Sequence, residues 1–134
     1  MPLDLFSQDS AKVHCDRIIQ LDDSIRFAGI ANSMGTLIAS SYRMQLQPLL
    51  NDDETKLYAM QAVLRAELRE DFQKNMGTLI YSVGKYDKLL RATIPLIGFD
   101  YKKFYLLLSL DFESDAFSIL ENKVMLYLKN EFPK

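Results

Sequence analysis

The sequence contains one cysteine, Cys15, and one histidine, His14, and its five glycines are isolated from one another. One cysteine cannot form a disulfide within the chain, and such scarcity is typical of a reducing compartment. One cysteine and one histidine also exclude a His/Cys zinc site built by a single chain. Isolated glycines exclude a glycine-rich phosphate-binding loop. We therefore predict no metal and no cofactor.

Long apolar runs are also missing. Residues 1–6, Met-Pro-Leu-Asp-Leu-Phe, have no basic region and no long apolar stretch, so they are not typical of a signal peptide. No run approaches the roughly 18–20 apolar residues that span a bilayer. These absences predict a soluble, cytoplasmic protein with no membrane partner.

Neither sign of charge is in large excess. The chain has 16 Lys and Arg against 18 Asp and Glu, a formal net charge of -2. The most basic stretch, residues 85–103, has five basic and two acidic side chains, which is typical of a solvated sheet rim. Nucleic-acid binders usually carry a basic excess or a dense basic stripe. We therefore predict no nucleic-acid partner.

Groups suited to catalysis are scarce. His14 and Cys15 are neighbours in a predicted helix, where adjacent side chains point about 100° apart and do not meet. We expect His14 at the surface and Cys15 in the core. The acidic pairs at 22–23 and 52–53 lie where helices end or begin, and nothing places two acids across a cleft. The sequence therefore predicts a protein that is not an enzyme.

The hydrophobic pattern predicts one domain over residues 1–134, because 49% of the residues are hydrophobic and the length suits a single core. Apolar positions at helical or alternating spacing give the order α–β–β–α–β–β–β–α. The first predicted helix starts after Ser7 or Asp9 and runs to about Leu21; the other two are Asp53–Met76 and Asp115 to about Phe132. The predicted strands are Ile25–Asn32, Thr36–Tyr42, Thr78–Val83, Lys88–Pro95 and Phe104–Leu110. We expect Ser7 or Asp9 and Ser114 to cap the first and last helices, and Phe117, Leu120, Val124, Tyr127 and Leu128 to form the buried face of the last.

The strand Phe104–Leu110 contains a Tyr-Leu-Leu-Leu run, which indicates burial on both faces and hence a central position. The first strand then most simply lies beside it. This predicts an α+β fold with a five-stranded antiparallel sheet in the order second, first, fifth, fourth, third strand, with helices on both faces.

Residues 30–40, Ile-Ala-Asn-Ser-Met-Gly-Thr-Leu-Ile-Ala-Ser, and the alanine-containing long helix after them resemble the first hairpin and helix of the roadblock/dynein-light-chain family, within the profilin-like group. The resemblance covers the topology of nearly the whole chain. The proline-containing segment 44–50 departs from it by its greater length. Residues 25–31, 42–43 and 93–96 are also similar to small uncharacterised archaeal proteins, a likeness that implies no activity.

The long helix has two stripes. We expect its apolar stripe to be buried in the core; the stripe consists of Leu57, Met60, Leu64, Leu68 and Phe72. A second stripe is rich in small residues, which allow another helix to approach closely. The alternative is that its alanines only favour helix formation.

The predicted strand Thr78–Val83 lies at a sheet edge and has no proline and no charge. Proteins normally blunt or cover such edges, and the resemblance implies a dimer formed through the long helix and the strand after it. We therefore predict a non-enzymatic homodimeric interaction module. Its predicted interface comprises Tyr58, Ala59, Ala62, Arg65, Ala66, Arg69, Thr78, Ile80 and Ser82.

The resemblance also implies a small GTPase or a larger scaffold as partner. The alternative function is a small-molecule sensor domain, because folds of this group can hold a ligand between sheet and helices. An acidic ligand would then be bound by Tyr42, Arg43, Arg91 and Tyr101. A deep cavity with convergent polar groups would distinguish this alternative from a docking module.

Overall fold

The computed structural model describes residues 7–97 and 102–132, which comprise five strands and a set of helices. The strands are β1 (Ile25–Asn32), β2 (Leu37–Tyr42), β3 (Ser82–Lys85), β4 (Leu89–Ile97) and β5 (Lys103–Asp111). The helices are α1 (Gln8–Ile19), α2 (Asp52–Arg69), α3 (Gln73–Met76), α4 (Ala116–Ile119) and α5 (Met125–Glu131). A 3-10 turn, Glu70–Phe72, joins α2 to α3, and a π-helical segment, Leu120–Val124, joins α4 to α5.

The five strands form one antiparallel sheet in the order β2-β1-β5-β4-β3, which confirms the predicted order. Leu107 of β5 is paired with Gly29 of β1 on one side and with Thr93 of β4 on the other. All side chains of Phe104–Leu110 are buried, as expected for a central strand.

Successive side chains of β5 point to opposite faces of the sheet and enter two separate cores. Leu106, Leu108 and Leu110 pack with α1 and the C-terminal helices. Tyr105 and Leu107 pack on the other face with α2. The sheet is therefore covered on both faces, as predicted.

Local capping explains where the helices begin. The Ser7 hydroxyl accepts a hydrogen bond from the Ser10 amide at 3.0 Å, which confirms one of the two predicted caps of α1. At α2, the Asn51 side chain accepts from the Glu54 amide at 2.8 Å, and the Glu54 carboxylate accepts from the Asn51 amide at 3.0 Å. This reciprocal pair satisfies two amides that the first turn leaves without helical partners.

Three predicted boundaries were wrong. The long helix ends at Arg69 rather than Met76, because none of the residues of the following turns, Glu70–Met76, is buried and packing no longer supports the helix. The strand predicted at 78–83 begins only at Ser82. Ser82 pairs with Thr93 of β4, so extending the same antiparallel pairing back to Ile80 would place it opposite Pro95. Proline has no N–H to donate to a neighbouring strand, so the pairing stops before it. The last helix is capped by Asp115 rather than Ser114.

Two side-chain placements were also wrong. His14 is fully buried rather than exposed, and its Nδ1 forms a 2.7 Å hydrogen bond with the Tyr127 hydroxyl. Phe117, expected in the core, is 64% exposed, because α4 begins at Ala116 and turns that side chain outward. The burial of Cys15 and of Leu120, Val124 and Leu128 is confirmed, and Tyr127 is partly buried.

Candidate functional site

The face of α2 that points away from the sheet carries four apolar side chains, which we call the outer row. Its members are between 54% and 60% exposed, and they are Leu57, Met60, Leu64 and Leu68. Their spacing of three or four residues aligns them along one side of the helix. The row continues beyond α2 through Phe72, Met76 and Ile80, which are at least as exposed. Monomeric proteins rarely expose contiguous apolar patches of more than about a few hundred Å².

The opposite face of α2 carries the alanines. Ala59, Ala62 and Ala66 are at most 1% exposed, and they pack with Tyr105 and Leu107 of the sheet. The faces of this helix are therefore the reverse of those predicted. Small residues bring α2 close to a sheet surface that is already filled by large side chains, and the leucines are left outside. The alanines have no surface to give to a partner.

A groove lies where the outer row ends. It has a volume of about 470 Å³, and it runs between the last turns of the helical region and the segment 77–80. Its lining is mostly apolar and comprises Leu68, Arg69, Phe72, Met76, Gly77, Thr78, Leu79 and Ile80. Gly77 turns the chain here with a φ of 86°, a left-handed value that favours glycine. The outer row and this groove form one continuous apolar surface.

The other predicted interface residues are accessible to different degrees. Tyr58, Arg65 and Ser82 are partly buried, and Arg69, Thr78 and Ile80 are exposed. The structure brings Arg69, Thr78 and Ile80 together at the groove. The edge strand β3 has only four residues and ends on Lys85. It is therefore shorter and better protected than predicted, because charged residues discourage edge pairing.

Two guanidinium groups lie against the ring of Tyr58. The Arg91 guanidinium carbon is 3.9 Å from the ring centroid, and that of Arg65 is 5.4 Å away. Burial lowers the pKa of Arg91, an effect that the nearby hydroxyls of Tyr58 and Tyr86 oppose. Burial likewise raises the pKa of Tyr58. We call Tyr58, Arg65 and Arg91 the Tyr58 cluster.

Three of the four residues predicted to hold a small acidic ligand are described, and they do not line a cavity large enough for one. Arg43 donates two hydrogen bonds to the Asp111 carboxylate, at 2.7 and 3.1 Å, so its charge is already paired. Tyr42 and Arg91 line a cavity of about 20 Å³, space for about one water molecule. Tyr101 lies outside the described residues. The deep cavity expected of a sensor domain is therefore not found at Tyr42, Arg43 or Arg91, the three predicted pocket residues that the structure describes.

The thiol of Cys15 is not activated as a nucleophile. Burial raises the pKa of the Cys15 thiol to about 12, so the nucleophilic thiolate is scarce. No group of three or more His, Cys, Asp or Glu side chains in residues 7–97 and 102–132 is arranged to hold a metal ion. Among the same residues, no helix combines the length and the apolar character needed to cross a bilayer.

Comparison with known proteins relates the chain to others through structure alone. No protein-family model matches the sequence, and a search of curated proteins gave no match. Among solved structures, a Roadblock/LC7 domain from Streptomyces avermitilis superposes with a TM-score of 0.66 at 15% identity, covering 92% of this chain and 98% of that one. The gliding protein MglB from Thermus thermophilus gives a TM-score of 0.68 at 15% identity, covering 98% of this chain and 91% of that one.

A third solved structure, described as MglB with a tetrameric arrangement, gives a TM-score of 0.70 at 15% identity and covers 98% of this chain and 90% of that one. These matches span nearly the whole of each chain. Together they show that the fold is that of Roadblock/LC7 domains, which confirms the predicted fold class.

Proposed function

We propose that this chain, which has the Roadblock/LC7 fold, is a non-enzymatic protein-interaction module that works as a homodimer. The outer row of α2 carries the proposal. Four apolar side chains that are more than half exposed make α2 apolar on the side that faces water as well as on the side that packs against the sheet. Because these side chains are already nearly half buried, covering the rest of one of them stabilises a complex by about 0.8–1.5 kcal/mol, roughly half the value for complete burial.

A second copy is the simplest partner for this surface. A two-fold axis sets the same patch of each copy against the other, so an apolar row meets an apolar row. The groove at 77–80 offers each copy a concavity for side chains of the other. A stable interface buries about 800 Å² per partner, which a long helix face and a groove together can provide. The tetrameric arrangement described for one MglB structure supports self-association within this fold.

The burial of His14 and Cys15, the two side chains best suited to nucleophilic chemistry, favours a docking role over an enzymatic one. His14 and Cys15 are buried on the far side of the sheet from α2, and the Cys15 thiol is not activated.

A dimer joined through α2 leaves α1, α4 and α5 free on the opposite face of each sheet. We propose that these helices bind a larger scaffold or a small GTPase, the partners implied by the resemblance of the sequence.

The experiment compares two substitutions of the same residue type. Leu64 on the outer row is 60% exposed, and Leu126 on α5 is 54% exposed. We expect Leu64→Glu to be monomeric by size-exclusion chromatography with light scattering, because it buries a charge in the interface. Leu126→Glu should retain the wild-type mass. A Leu64→Glu protein that is folded and still dimeric would place the interface elsewhere.

A further inference from the structure

Two opposite charges, Lys56 and Glu67, lie along one flank of the outer row. They are 11 positions apart in α2, which is about three helical turns, so both project from the same side of the helix. Both residues are exposed. Neither forms an ion pair within residues 7–97 and 102–132. A lysine in the first half of α2 and a glutamate near its end are therefore available to another molecule.

The surroundings of Glu67 leave its negative charge unmatched. Lys103, on the central strand, forms its ion pair with Glu70 rather than with Glu67. A polar neighbour of Glu67 is the hydroxyl of Tyr105. Burial, and then the charges of Glu70 and Glu67, raise the pKa of this hydroxyl, so it stays neutral and supplies no positive charge.

The charged pair is centred on nearly the same point of α2 as the outer row. Lys56 directly precedes Leu57, the first member of the row, and Glu67 directly precedes Leu68, the last member on α2. The midpoints of the pair and of the row therefore differ by one residue, or about 1.5 Å along the helix. A symmetry operation that sets the row against itself also sets the charged pair against itself.

The orientation of the two copies decides which charges meet. A two-fold axis perpendicular to α2 makes the helices antiparallel, sets Leu57 of one copy against Leu68 of the other, and places each flank of the row beside the same flank of the other copy. Lys56 of one copy then lies within about two residues, or about 3 Å along the helix, of Glu67 of the other. Flexible side chains can span this offset.

The parallel orientation gives the opposite result. A two-fold axis along α2 would set Lys56 against Lys56 and Glu67 against Glu67. Like charges that face each other repel, at a cost similar in size to the gain from an opposite pair. The charge pattern of this flank therefore favours the antiparallel dimer.

We propose that Lys56 of one copy pairs with Glu67 of the other across the outer row, and that the two symmetric contacts select the antiparallel orientation of α2. This inference rests on the proposed homodimer and makes it more specific. Charged contacts at the rim of an interface set orientation and partner choice, whereas the apolar row supplies most of the affinity. A surface that complements itself in charge also favours a second copy over an unrelated protein as the molecule that covers the row.

The test exchanges the two charges and measures the dimer dissociation constant by sedimentation equilibrium at about 50 and 300 mM NaCl, a range over which salt screening increases strongly. The variants are Lys56→Glu, Glu67→Lys and the double variant that carries both. We expect each single variant to weaken the dimer about 10-fold at low salt, because it makes both symmetric contacts repulsive. The double variant should return to within about twofold of wild type, because exchanging the charges restores both pairs. All differences should shrink at the higher salt concentration.

Two further sets of variants separate a lost contact from a change in folding. Lys56→Glu adds an acid near Asp52 and Asp53, so the neutral variants Lys56→Gln and Glu67→Gln are measured as well. Each should weaken the dimer about 3-fold at low salt, because the attraction is lost and no repulsion replaces it. Lys129→Glu on α5 reverses an exposed charge away from α2 and should leave the dissociation constant unchanged.

Failure of this inference is distinguishable from failure of the dimer itself. If wild type is dimeric but the single reversals change the dissociation constant less than twofold, the two charges do not meet, and the inference is wrong while the dimer stands. A double variant that dissociates as readily as the single ones also overturns it. A wild type that stays monomeric at tens of micromolar overturns both the inference and the proposed homodimer.

Discussion

Ala62 and Leu64 are two residues apart on α2 and lie on opposite sides of it: Ala62 is 1% exposed against the sheet, and Leu64 is 60% exposed to solvent. In most amphipathic helices the larger apolar residue is the buried one. Here the small residue packs inside because the sheet beneath it presents Tyr105 and Leu107. The leucine side is then free to bind another molecule.

Substitution of Ala62 should therefore affect stability rather than assembly. We expect Ala62→Leu to lower the free energy of unfolding by about 1–3 kcal/mol, because a core packed with alanine has no space for the extra carbons. Chemical denaturation measures this loss. Gln61→Leu, one position away on the exposed side of α2, serves as the control and should leave stability nearly unchanged. Equal losses in the two variants would contradict the assignment of faces.

Much of the architecture could be predicted from the sequence. The apolar run of β5 placed it at the centre of the sheet, and alternation placed the hairpin beside it. The faces of α2 could not be predicted from the helix alone, because both of its stripes are apolar. Val63 and Thr55, which are buried on the alanine side, and the bulky residues of the sheet were the available signals.

The remaining errors have causes outside the segments concerned. The first residue of β3 depends on Pro95 in the neighbouring strand, which local propensity does not reveal. The burial of His14 depends on Tyr127 and Phe132, which lie near the other end of the sequence.

The Tyr58 cluster was missed in part. Tyr58 and Arg65 were predicted as interface residues and Arg91 as a ligand-pocket residue. The ring contact that joins all three is visible only in the folded chain, because it brings a strand residue against a helix that precedes it in the sequence.

His14 should make stability depend on pH. Burial lowers the pKa of its imidazole, Glu131 opposes this effect, and Arg17 adds to it. Because the folded-state pKa lies below the unfolded one, the contribution of His14 is complete above about pH 6.5 and is lost as the pH falls below that value. We expect wild type to lose more stability than His14→Gln between about pH 7.5 and 5.5. Urea unfolding at several pH values measures the difference, and identical slopes would contradict it.

Asp111 should stabilise the junction between β1, β2 and β5. It accepts hydrogen bonds from Arg43 and Arg26, and the bond from Arg43 is the main cause of its lowered pKa. We expect Asp111→Asn to reduce the free energy of unfolding at neutral pH by about 1 kcal/mol, a modest value because the groups are partly exposed. The difference from wild type should shrink below about pH 4, where the carboxylate becomes protonated. Asp87→Asn, at an exposed position, is the control and should leave stability unchanged.

Gly35 should tolerate no side chain. Its φ is 82°, and an added Cβ would lie 2.7 Å from the Cα of Met60 on α2. We expect Gly35→Ala to lower the free energy of unfolding by about 2 kcal/mol or more, from backbone strain and the clash together. At Gly84, an added Cβ comes no closer than 3.6 Å to Tyr86, so Gly84→Ala should cost much less. Thermal unfolding of the two variants measures both losses of stability, and equal losses would contradict this account.

The central claim is that a second copy covers the outer row of α2. The most direct measurement is the mass of the wild-type protein in solution, by sedimentation equilibrium from about 1 to 50 μM, the range in which moderately stable dimers dissociate. A single chain has a mass of 15.5 kDa. The account predicts twice this mass across most of the range, with dissociation on replacement of Leu64 by glutamate. A mass of one chain at every concentration would contradict it.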